Sequence, residues 1–536
     1  MSPATSDKLP PKRRNRAVEI AAGLAPVAAA IGLPPSEHNL SAPQIPMGGT
    51  ISSLSREVGM HLATADIFLQ GGAIVTVNPV TGAVRVMEAI RFCSWVERFV
   101  SFVQSTKDGV RPVSISAEMA AKILNSDEFR EALRLLLSVV TVRLPTWANK
   151  EKSLLRLLPS GYDAVTQTFT VDLHPYCEDL DVNLAWDFFL DFYADFPFAE
   201  PGILSGRGSL ATQMGAHFAL FCRNLLADCA RPAFVNLANQ SGSGKSILVK
   251  AVLAPIYGMA SIQAVPSKEE ELGKLLTASA AEGAPYLFFD NVRGRLSSSE
   301  LESFITSPIR TGRERGKSGT ITAKNLAQIF ITGNGLTLSP DLARRSCVME
   351  LFCSGEAADR KFPKLITDEW LVRPETRQKF LSALWSGLRF WQEQKGCQRT
   401  EGLVLHGFEE FSQIIGGIVM SMGFADPMAR PEVSLDEAGD AWKRLLAALA
   451  ATVPDGGSVR FTPGDCLEKA EELDVLDLIA GAARDPKKAL GHKLKKFRGR
   501  EFIDGRGRRF EFGQRLRDNT SSGYLLRILT GESPPV

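Results

Sequence analysis

The chain has 536 residues, of which 44% are hydrophobic and 23% charged, as is usual for a globular protein with two to four domains. Its 62 basic and 60 acidic residues nearly cancel, and no run is long and apolar enough to predict a membrane span. The eight cysteines are scattered without a C-x-x-C pair, which argues against a zinc site and favours reduced, mostly buried thiols.

Residues 1–50 form a basic, Pro/Ala-rich leader that we expect to be disordered. Arg13, Arg14 and Arg16 precede an Ala-rich stretch that imitates a signal peptide. Glu19 and Pro26 interrupt that apolar stretch, and the nucleotide site predicted below requires ATP. We therefore expect a cytoplasmic protein.

Residues 51–180 read as a small α+β domain. The pattern predicts strands at 67–69, 73–77, 83–86 and 168–171, and helices at about 88–105, 115–125 and 127–138. No catalytic constellation is visible here, so we expect an interaction or collar module. Residues 181–231 form a helical collar or linker with a helix near 208–229, on which His217 is expected to be a core or interface residue rather than a ligand.

A glycine-rich loop follows an apolar strand and opens a helix, in the sequence P-A-F-V-N-L-A-N-Q-S-G-S-G-K-S from Pro232 to Ser246. In such a loop, glycines let backbone N–H groups surround a phosphate at the helix N-terminus. The lysine reaches the β- and γ-phosphates, and the hydroxyl that follows it binds Mg²⁺. The predicted ATP-binding residues are Asn239, Gln240, Ser241, Gly242, Ser243, Gly244, Lys245, Ser246 and Ile247.

One position departs from the usual loop pattern, because Asn239 stands where the first glycine is expected. Asparagine tolerates left-handed backbone geometry better than most residues. We therefore interpret Asn239 as a permitted substitute for glycine.

Two further strands end in polar residues that can complete the site. The strand 286–291 ends at Asp290, an acid suited to Mg²⁺ together with Ser246, and at Asn291, where many ATPases carry a glutamate base. The general base therefore stays unassigned. The strand 327–334 ends at Asn334, whose amide can orient water and contact the γ-phosphate.

Arg344 and Arg345 precede a strand at 347–351. Either arginine could reach the γ-phosphate of a neighbouring subunit and stabilise charge in the transition state. The alternative is that one of them pairs with an acid within the chain.

A basic stretch at 310–324 predicts a hairpin or extended loop. The ordinary alternative is a solvated charged loop. The position of this stretch just ahead of the strand 327–334 favours DNA contact. The predicted DNA-binding residues here are Arg310, Arg313, Arg315, Lys317 and Lys324.

The C-terminal part divides in two. Residues 356–433 predict a helical lid subdomain, and residues 434–536 predict a winged-helix domain with helices at 435–452 and 466–482, a basic helix at 490–497 and two strands around 505–507. A basic face without a nucleic-acid partner is the alternative. The predicted DNA-binding residues here are Lys493, Lys495, Lys496, Arg498, Arg506, Arg508 and Arg509.

The motifs N-Q-S-G-S-G-K-S, F-F-D-N-V, I-T-G-N-G-L and D-L-A-R-R occur in this order, with D-F-P-F at 195–198 before them. Together they resemble the superfamily 3 helicase branch of AAA+ ATPases, and most closely the replication ATPases of phages, plasmids and mobile elements. The resemblance spans about residues 150–425 and extends more faintly over 60–150 and the C-terminus. It implies an α/β fold with a parallel P-loop NTPase core at 232–355 and a hexameric ring that hydrolyses ATP between subunits.

By position the resemblance matches Lys245 and Ser246 to the phosphate loop, Asp290 to the metal acid and Asn334 to the sensor. It matches Arg344 or Arg345 to the trans-acting arginine, and 310–324 to the DNA-tracking hairpin. The chain has no primase motif, so a separate primase or initiator is an expected partner.

The sequence thus predicts a Mg²⁺-dependent ATP hydrolase that acts as a DNA helicase or translocase in replication of a mobile element or phage. Two alternatives stay open. One is a non-replicative AAA+ ATPase in defence or mobile-element transfer. The other is an ATP-gated DNA-binding switch with little turnover, which Asn291 in the place of a base suggests.

Overall fold

The structure is a computed structural model that describes residues 42–107, 109–198, 206–313, 320–334, 336–353, 365–395, 405, 407–428, 437–480, 485–495, 500–503, 508–517 and 522–529. In this part of the chain no helix is long and apolar enough to cross a membrane. The cysteines described there are all free thiols, most of them buried.

The N-terminal part is built from short strands and helices. Its elements are β1 (Gln44–Pro46), α1 (Ile51–Leu62), β2 (Ile67–Gln70), β3 (Ala73–Val77), β4 (Val84–Val86), α2 (Ala89–Val96), β5 (Ser101–Thr106), β6 (Gly109–Pro112), α3 (Ala117–Asn125), α4 (Asp127–Ala132), β7 (Arg134–Leu135), β8 (Ser138–Val140), β9 (Pro145–Trp147), β10 (Leu155–Leu157), β11 (Gly161–Asp163) and β12 (Thr168–Thr170). They form the sheets β4-β3-β2-β7, β1-β5-β6, β11-β12-β8 and β10-β9.

The structure corrects three predictions in this part. The strand β1 lies inside the predicted disordered leader and pairs in parallel with β5. The predicted helix 88–105 ends at Val96, because the residues after it extend to bury Val100, Phe102 and Val103, the last two as part of β5. The predicted helix 127–138 ends at Ala132, and the residues after it join two sheets as β7 and β8.

A helical segment leads to the central sheet through α5 (Val182–Tyr193) and α6 (Gly206–Phe221). The helix predicted near 208–229 therefore ends earlier, at Phe221. The residues that follow it are mostly buried in the main core, where the helical and sheet segments pack together.

The central sheet consists of four parallel strands. In chain order the elements are β13 (Ala233–Ala238), α7 (Lys245–Tyr257), α8 (Glu269–Ala281), β14 (Tyr286–Val292), β15 (Arg295–Leu296), α9 (Ser299–Thr306), β16 (Ile309–Arg313), β17 (Thr320–Lys324), β18 (Gln328–Asn334), β19 (Thr337–Leu338), α10 (Pro340–Arg344) and β20 (Ser346–Leu351). The sheet order is β14-β18-β13-β20. Every residue of β13 is buried, as expected for a parallel strand covered on both faces.

Between α7 and α8 the chain adds one parallel bridge to this sheet, which joins Gln263 to Phe289 at the β14 edge. The C-terminal end of α7 is held by an arginine from the helices that follow the central sheet. There Arg377 donates from Nε to the Pro255 carbonyl and from Nη2 to the Ile256 carbonyl, both at 3.1 Å. Burial lowers the pKa of Arg377 to about 10.

Three helices follow the central sheet, namely α11 (Asp368–Leu371), α12 (Pro374–Lys395) and α13 (Glu409–Ser421). The last region contains α14 (Glu437–Ala451), β21 (Ser458–Phe461), α15 (Pro463–Glu472), α16 (Leu476–Ala480), α17 (Pro486–Leu494), β22 (Arg500–Ile503), β23 (Arg509–Arg517) and β24 (Ser522–Ile528). Its antiparallel sheet has the order β21-β24-β23-β22, and its helices and strands share a separate hydrophobic core.

Two helix predictions in the last region are corrected. The predicted helix 466–482 is broken between α15 and α16, where Asp474 adopts a positive φ of 52°. The predicted basic helix 490–497 begins at Pro486, because the Asp485 side chain accepts a hydrogen bond from the Lys488 amide and caps it.

His217 lies in a buried polar group that joins α5, α6 and α7. Its Nε2 contacts the Tyr193 hydroxyl, which accepts from Gln213 Nε2 at 2.9 Å. The same Gln213 amide donates to the Leu248 carbonyl at 3.0 Å. Burial lowers the pKa of His217 from 6.5 to about 3, so the imidazole is neutral in the folded protein. Its burial agrees with the core position that the sequence allowed.

This burial predicts a pH dependence of stability. The unfolded chain binds a proton at His217 below about pH 6.5 and the folded chain does not, so the stabilising effect is complete above pH 6.5 and is lost as pH falls towards 3. At pH 5 the loss is about 2 kcal/mol. We expect thermal unfolding to show a larger drop in Tm between pH 7.5 and 5 for wild type than for His217→Gln. Equal drops would contradict the prediction.

Candidate functional site

The loop 239–244 turns sharply between β13 and α7 because two of its glycines have positive φ. Gly242 has a φ of 79° and Gly244 a φ of 102°, where L-residues are strained. A Cβ on Gly244 would also lie 3.1 Å from the Phe196 ring. Glycine is therefore required at position 244 by the positive φ and by the close approach of the Phe196 ring. The helix α7 begins at the next residue, so its N-terminal N–H groups lie at the loop.

Lys245 is buried at the start of α7 and its ammonium group points back into the loop. Its Nζ donates to the Gln240 carbonyl at 3.1 Å, to Ser243 Oγ at 3.2 Å and to Asn334 Oδ1. Burial lowers the pKa of Lys245, and the Asp290 carboxylate opposes that shift. The predicted lysine and the predicted amide on β18 therefore lie in direct contact.

Ser246 and Asp290 are brought together by the ends of α7 and β14. Ser246 Oγ donates to Asp290 Oδ1 at 2.6 Å, and the Thr332 hydroxyl donates to the same oxygen. A hydroxyl and a carboxylate are hard oxygen ligands of the kind that Mg²⁺ prefers, so the residues present fit this ion. The described residues contain no group of three or more His, Cys, Asp or Glu side chains that could hold a metal. Most ligands of a Mg²⁺ ion here would therefore come from phosphate and water.

Asn239 does not act as the sequence suggested. Its φ is not positive, so it does not replace a left-handed glycine. Instead, its side chain makes two hydrogen bonds to the backbone of Cys353, from Nδ2 to the carbonyl at 2.8 Å and from the Cys353 amide to Oδ1 at 3.0 Å. Gln240 Nε2 also donates to this carbonyl, at 3.3 Å. The amide thus ties the start of the loop to the chain that leaves β20.

Asn291 has a positive φ of 57°, and its amide N–H donates to the Thr332 hydroxyl at 2.9 Å. The two acids that follow in sequence are engaged elsewhere. Glu300 pairs with Arg310, and Glu302 accepts from Ser339 Oγ at 2.7 Å. Both carboxylates therefore have partners other than the residues of the loop.

The sequence did not single out Thr332, although it contacts both Asp290 and Asn291. A pattern could have indicated it, because residues two apart on a strand face the same side. Thr332 stands two residues before Asn334 on β18 and hence shares its face.

The two predicted arginines lie at the opposite edge of the sheet from the loop. Ala233 at the start of β13 pairs with Ser346, whereas the loop follows Ala238, five residues or about 17 Å further along the strand. Arg344 pairs with Asp341 one turn earlier, and its side chain is 67% exposed. Arg345 is less exposed and lies 3.7 Å from Glu302. Both arginines thus have acidic partners, and neither can reach the loop of its own chain.

The basic stretch at 310–324 contains the antiparallel hairpin β16–β17. Arg310 is mostly buried and donates to Thr277 Oγ1 at 3.1 Å, to the Gly273 carbonyl and to Glu300. Its guanidinium therefore anchors the hairpin to α8 and does not face solvent as the predicted DNA contact would require. Lys324 is half-exposed and lies 3.1 Å from Asp228. Arg315, Lys317 and the side chain of Arg313 lie outside the described residues.

Two predicted basic residues of the last region also have structural roles. Arg508 is largely buried, donating to the Val453 and Ala450 carbonyls at 3.1 Å and to Asp455 at 2.6 Å. Lys493 donates to the Ile479 carbonyl at 2.5 Å. Both satisfy carbonyls near helix ends, whereas Lys495 and Arg509 are exposed. The predicted residues outside the described part are Lys496, Arg498 and Arg506.

No protein-family model matches the chain, and no curated protein matches it in sequence. Among solved structures, the A form apo structure of the NrS-1 C-terminal region is 10% identical with a TM-score of 0.34, over 79% of this chain and 92% of that chain. A second structure of that region is 9% identical in sequence with a TM-score of 0.35, and the match covers 82% of this chain and 100% of that chain. The X-ray structure of JCV helicase is 15% identical with a TM-score of 0.21, and the match covers 45% of this chain and 66% of that chain. TM-scores this low do not establish a common fold.

Proposed function

We propose that this protein is an ATP-dependent DNA helicase or translocase with a superfamily 3-type AAA+ core, acting as a ring in replication of a mobile element or phage. The observation that carries this proposal is the convergence of Lys245, Ser246, Asp290 and Asn334 at one edge of the parallel sheet. These are the groups that phosphoryl transfer from a nucleotide requires: a cation, a metal-binding pair and an amide.

The chemistry would be transfer of the γ-phosphoryl group of ATP to water. The loop N–H groups and the N-terminus of α7 bind the phosphates, and Lys245 neutralises charge on the β- and γ-phosphates. Mg²⁺ held by Ser246 and Asp290 would supply further charge neutralisation. Because Asn334 Oδ1 already accepts from Lys245, binding of a γ-phosphate between them would free the amide to orient the attacking water.

A ring is supported by the distance between the arginines and the loop. A guanidinium about 17 Å along the strand from its own loop cannot complete that site. Arg344 and its partner Asp341 are both exposed, and a surface ion pair of this kind contributes little to the stability of the fold. It is therefore the arginine we assign to a neighbouring subunit's γ-phosphate, whereas Arg345 supports α9 through Glu302.

DNA contact is proposed at two places. The described strands of the hairpin β16–β17 are anchored to α8 by Arg310, which gives the hairpin a fixed support. The last region has the order of one helix, one strand, three helices and three strands, which is similar to a winged-helix module with one additional short helix and one additional strand. Lys495 and Arg509 would face phosphates. This order also supports a winged-helix assignment for residues 434–536.

One observation favours a second candidate, an ATP-gated DNA-binding switch with little turnover. Asn291 is exposed beside Asp290 and carries no carboxylate, and Glu300 and Glu302 are engaged elsewhere. A site that binds ATP but lacks a base would hydrolyse it slowly.

The experiment that tests the proposal is steady-state ATP hydrolysis with and without single-stranded DNA, combined with native mass. We expect Mg²⁺-dependent turnover that rises several-fold with DNA in a ring-sized species. An ATPase indifferent to DNA would favour a non-replicative AAA+ role in defence or mobile-element transfer. Binding of ATP and DNA with turnover at background would favour the switch.

A further inference from the structure

The strand β14 is interrupted by a bulge at the two residues that end the predicted metal-binding motif. Phe289 pairs with Ile331 and Val292 with Gly333, so that Asp290 and Asn291 together oppose a single residue, Thr332. A bulge leaves one residue without its place in the ladder and re-aims side chains, and such bulges often occur next to active sites.

The hydroxyl of Thr332 satisfies both residues of the bulge. It accepts from the Asn291 amide at 2.9 Å and donates to Asp290 Oδ1. A backbone N–H can only donate and an ionised carboxylate can only accept, so the two partners fix the direction of the hydroxyl proton. Among the described residues, Ser246 is the only other donor to Asp290, and it uses the same oxygen.

Packing alone does not account for a threonine at this position. Thr332 is 1% exposed, and the residues before it on β18, Ile329 to Ile331, are buried and apolar. Valine would fill the same volume, whereas a buried hydroxyl loses free energy unless it is hydrogen-bonded. Asn291 in turn has a left-handed backbone, and its amide hydrogen bond to the Thr332 hydroxyl supports that conformation.

We propose that Thr332 is a positioning residue of the nucleotide site, whose hydroxyl orients the Asp290 carboxylate towards Mg²⁺·nucleotide and holds Asn291 in its left-handed conformation. This inference rests on the proposed function for its ligand, but the hydrogen bonds that carry it exist without nucleotide. Asp290 is then held by two hydroxyls from two elements, α7 and β18. Loss of either would let the carboxylate rotate.

The test compares Thr332→Val, which keeps the shape and removes the hydroxyl, with Thr332→Ser, which keeps the hydroxyl. Thr170→Val is the matched control, because Thr170 is also 1% exposed on a strand and its hydroxyl has no partner within the described residues. We expect Thr332→Val to lower kcat about 10- to 100-fold and to raise the Mg²⁺ concentration for half-maximal turnover about tenfold, by analogy with groups that orient metal ligands. The KM for ATP at saturating Mg²⁺ should change less than threefold, and Thr332→Ser and Thr170→Val should resemble wild type.

A second readout needs no nucleotide. Hydrogen exchange of the peptide 286–293 in the free protein should show about one additional rapidly exchanging amide in Thr332→Val, that of Asn291, and none in Thr332→Ser. Unchanged protection in Thr332→Val would overturn the inference, as would equal loss of turnover in the Val and Ser variants. If wild type hydrolyses no ATP, the proposed function fails, while the exchange experiment still decides whether the hydroxyl holds the bulge.

Discussion

Replacing Lys245 with alanine is expected to reduce ATP turnover at least about a hundredfold, the effect of removing one preorganised charge-stabilising donor. The ammonium group is the only cation among the contacts described at the loop. It donates to the Gln240 carbonyl, to Ser243 and to Asn334. Its loss removes the charge that neutralises the phosphates. The measurement is steady-state phosphate release, together with the affinity for a fluorescent ATP analogue, which we expect to fall as well.

Lys250 provides the matched control for this substitution. It lies on the same helix, but its Nζ pairs with Asp368 at 2.7 Å rather than with the loop. Lys250→Ala should keep turnover within about twofold of wild type and lower only the thermal stability. The pair also tests the switch hypothesis. If wild type hydrolyses ATP no faster than Lys245→Ala but binds it more tightly, the protein binds nucleotide without a catalytic cycle.

The elements around the site were predictable because their information is local. A buried strand shows as a continuous apolar run. The strand 233–238 is followed by the loop, and the strands 286–292 and 328–334 carry Asp290 and Asn334 at or near their ends. Parallel strands in one sheet bring such ends to one edge. The contacts of Lys245 with Asn334 and of Ser246 with Asp290 follow from that arrangement.

The roles of individual basic residues were not predictable in the same way. Arg310, Lys493 and Arg508 belong to basic stretches whose composition is typical of a DNA-binding surface. In the structure, each of them donates to backbone carbonyls of another segment. A guanidinium satisfies a helix end and a phosphate with the same donors. Which of the two it meets depends on tertiary packing, which the local sequence does not contain.

Asn239 and Thr332 illustrate the same limit within the site. A propensity argument explains why asparagine is tolerated in a turn, but the amide of Asn239 is held by Cys353, more than a hundred residues later. The bulge at Asp290 and Asn291 depends on the register between two strands. The strand β5 was misread as helix for a related reason, since one of its partner strands, β1, lies more than fifty residues earlier in the chain.

Arg344→Ala is expected to reduce turnover by about a thousandfold or more, the range of effects seen when a trans-acting arginine is removed. ATP affinity should change much less, because the guanidinium lies at the far edge of its own subunit's sheet. Arg345→Ala is the neighbouring control. It leaves Glu302 without its basic partner, so it should lower Tm while keeping most of the turnover that assembled protein shows.

The decisive form of this prediction mixes two inactive variants. Rings assembled from Lys245→Ala and Arg344→Ala subunits contain interfaces in which an intact loop meets an intact Arg344 from its neighbour. Such interfaces should recover a substantial fraction of wild-type turnover, with a maximum near equal proportions. If Arg344 acts within its own subunit, no mixture contains a complete site and turnover stays at the level of the separate variants. Mixing Arg345→Ala with Lys245→Ala should give only the turnover contributed by Arg345→Ala, because that substitution removes a support of α9 rather than a group shared between sites.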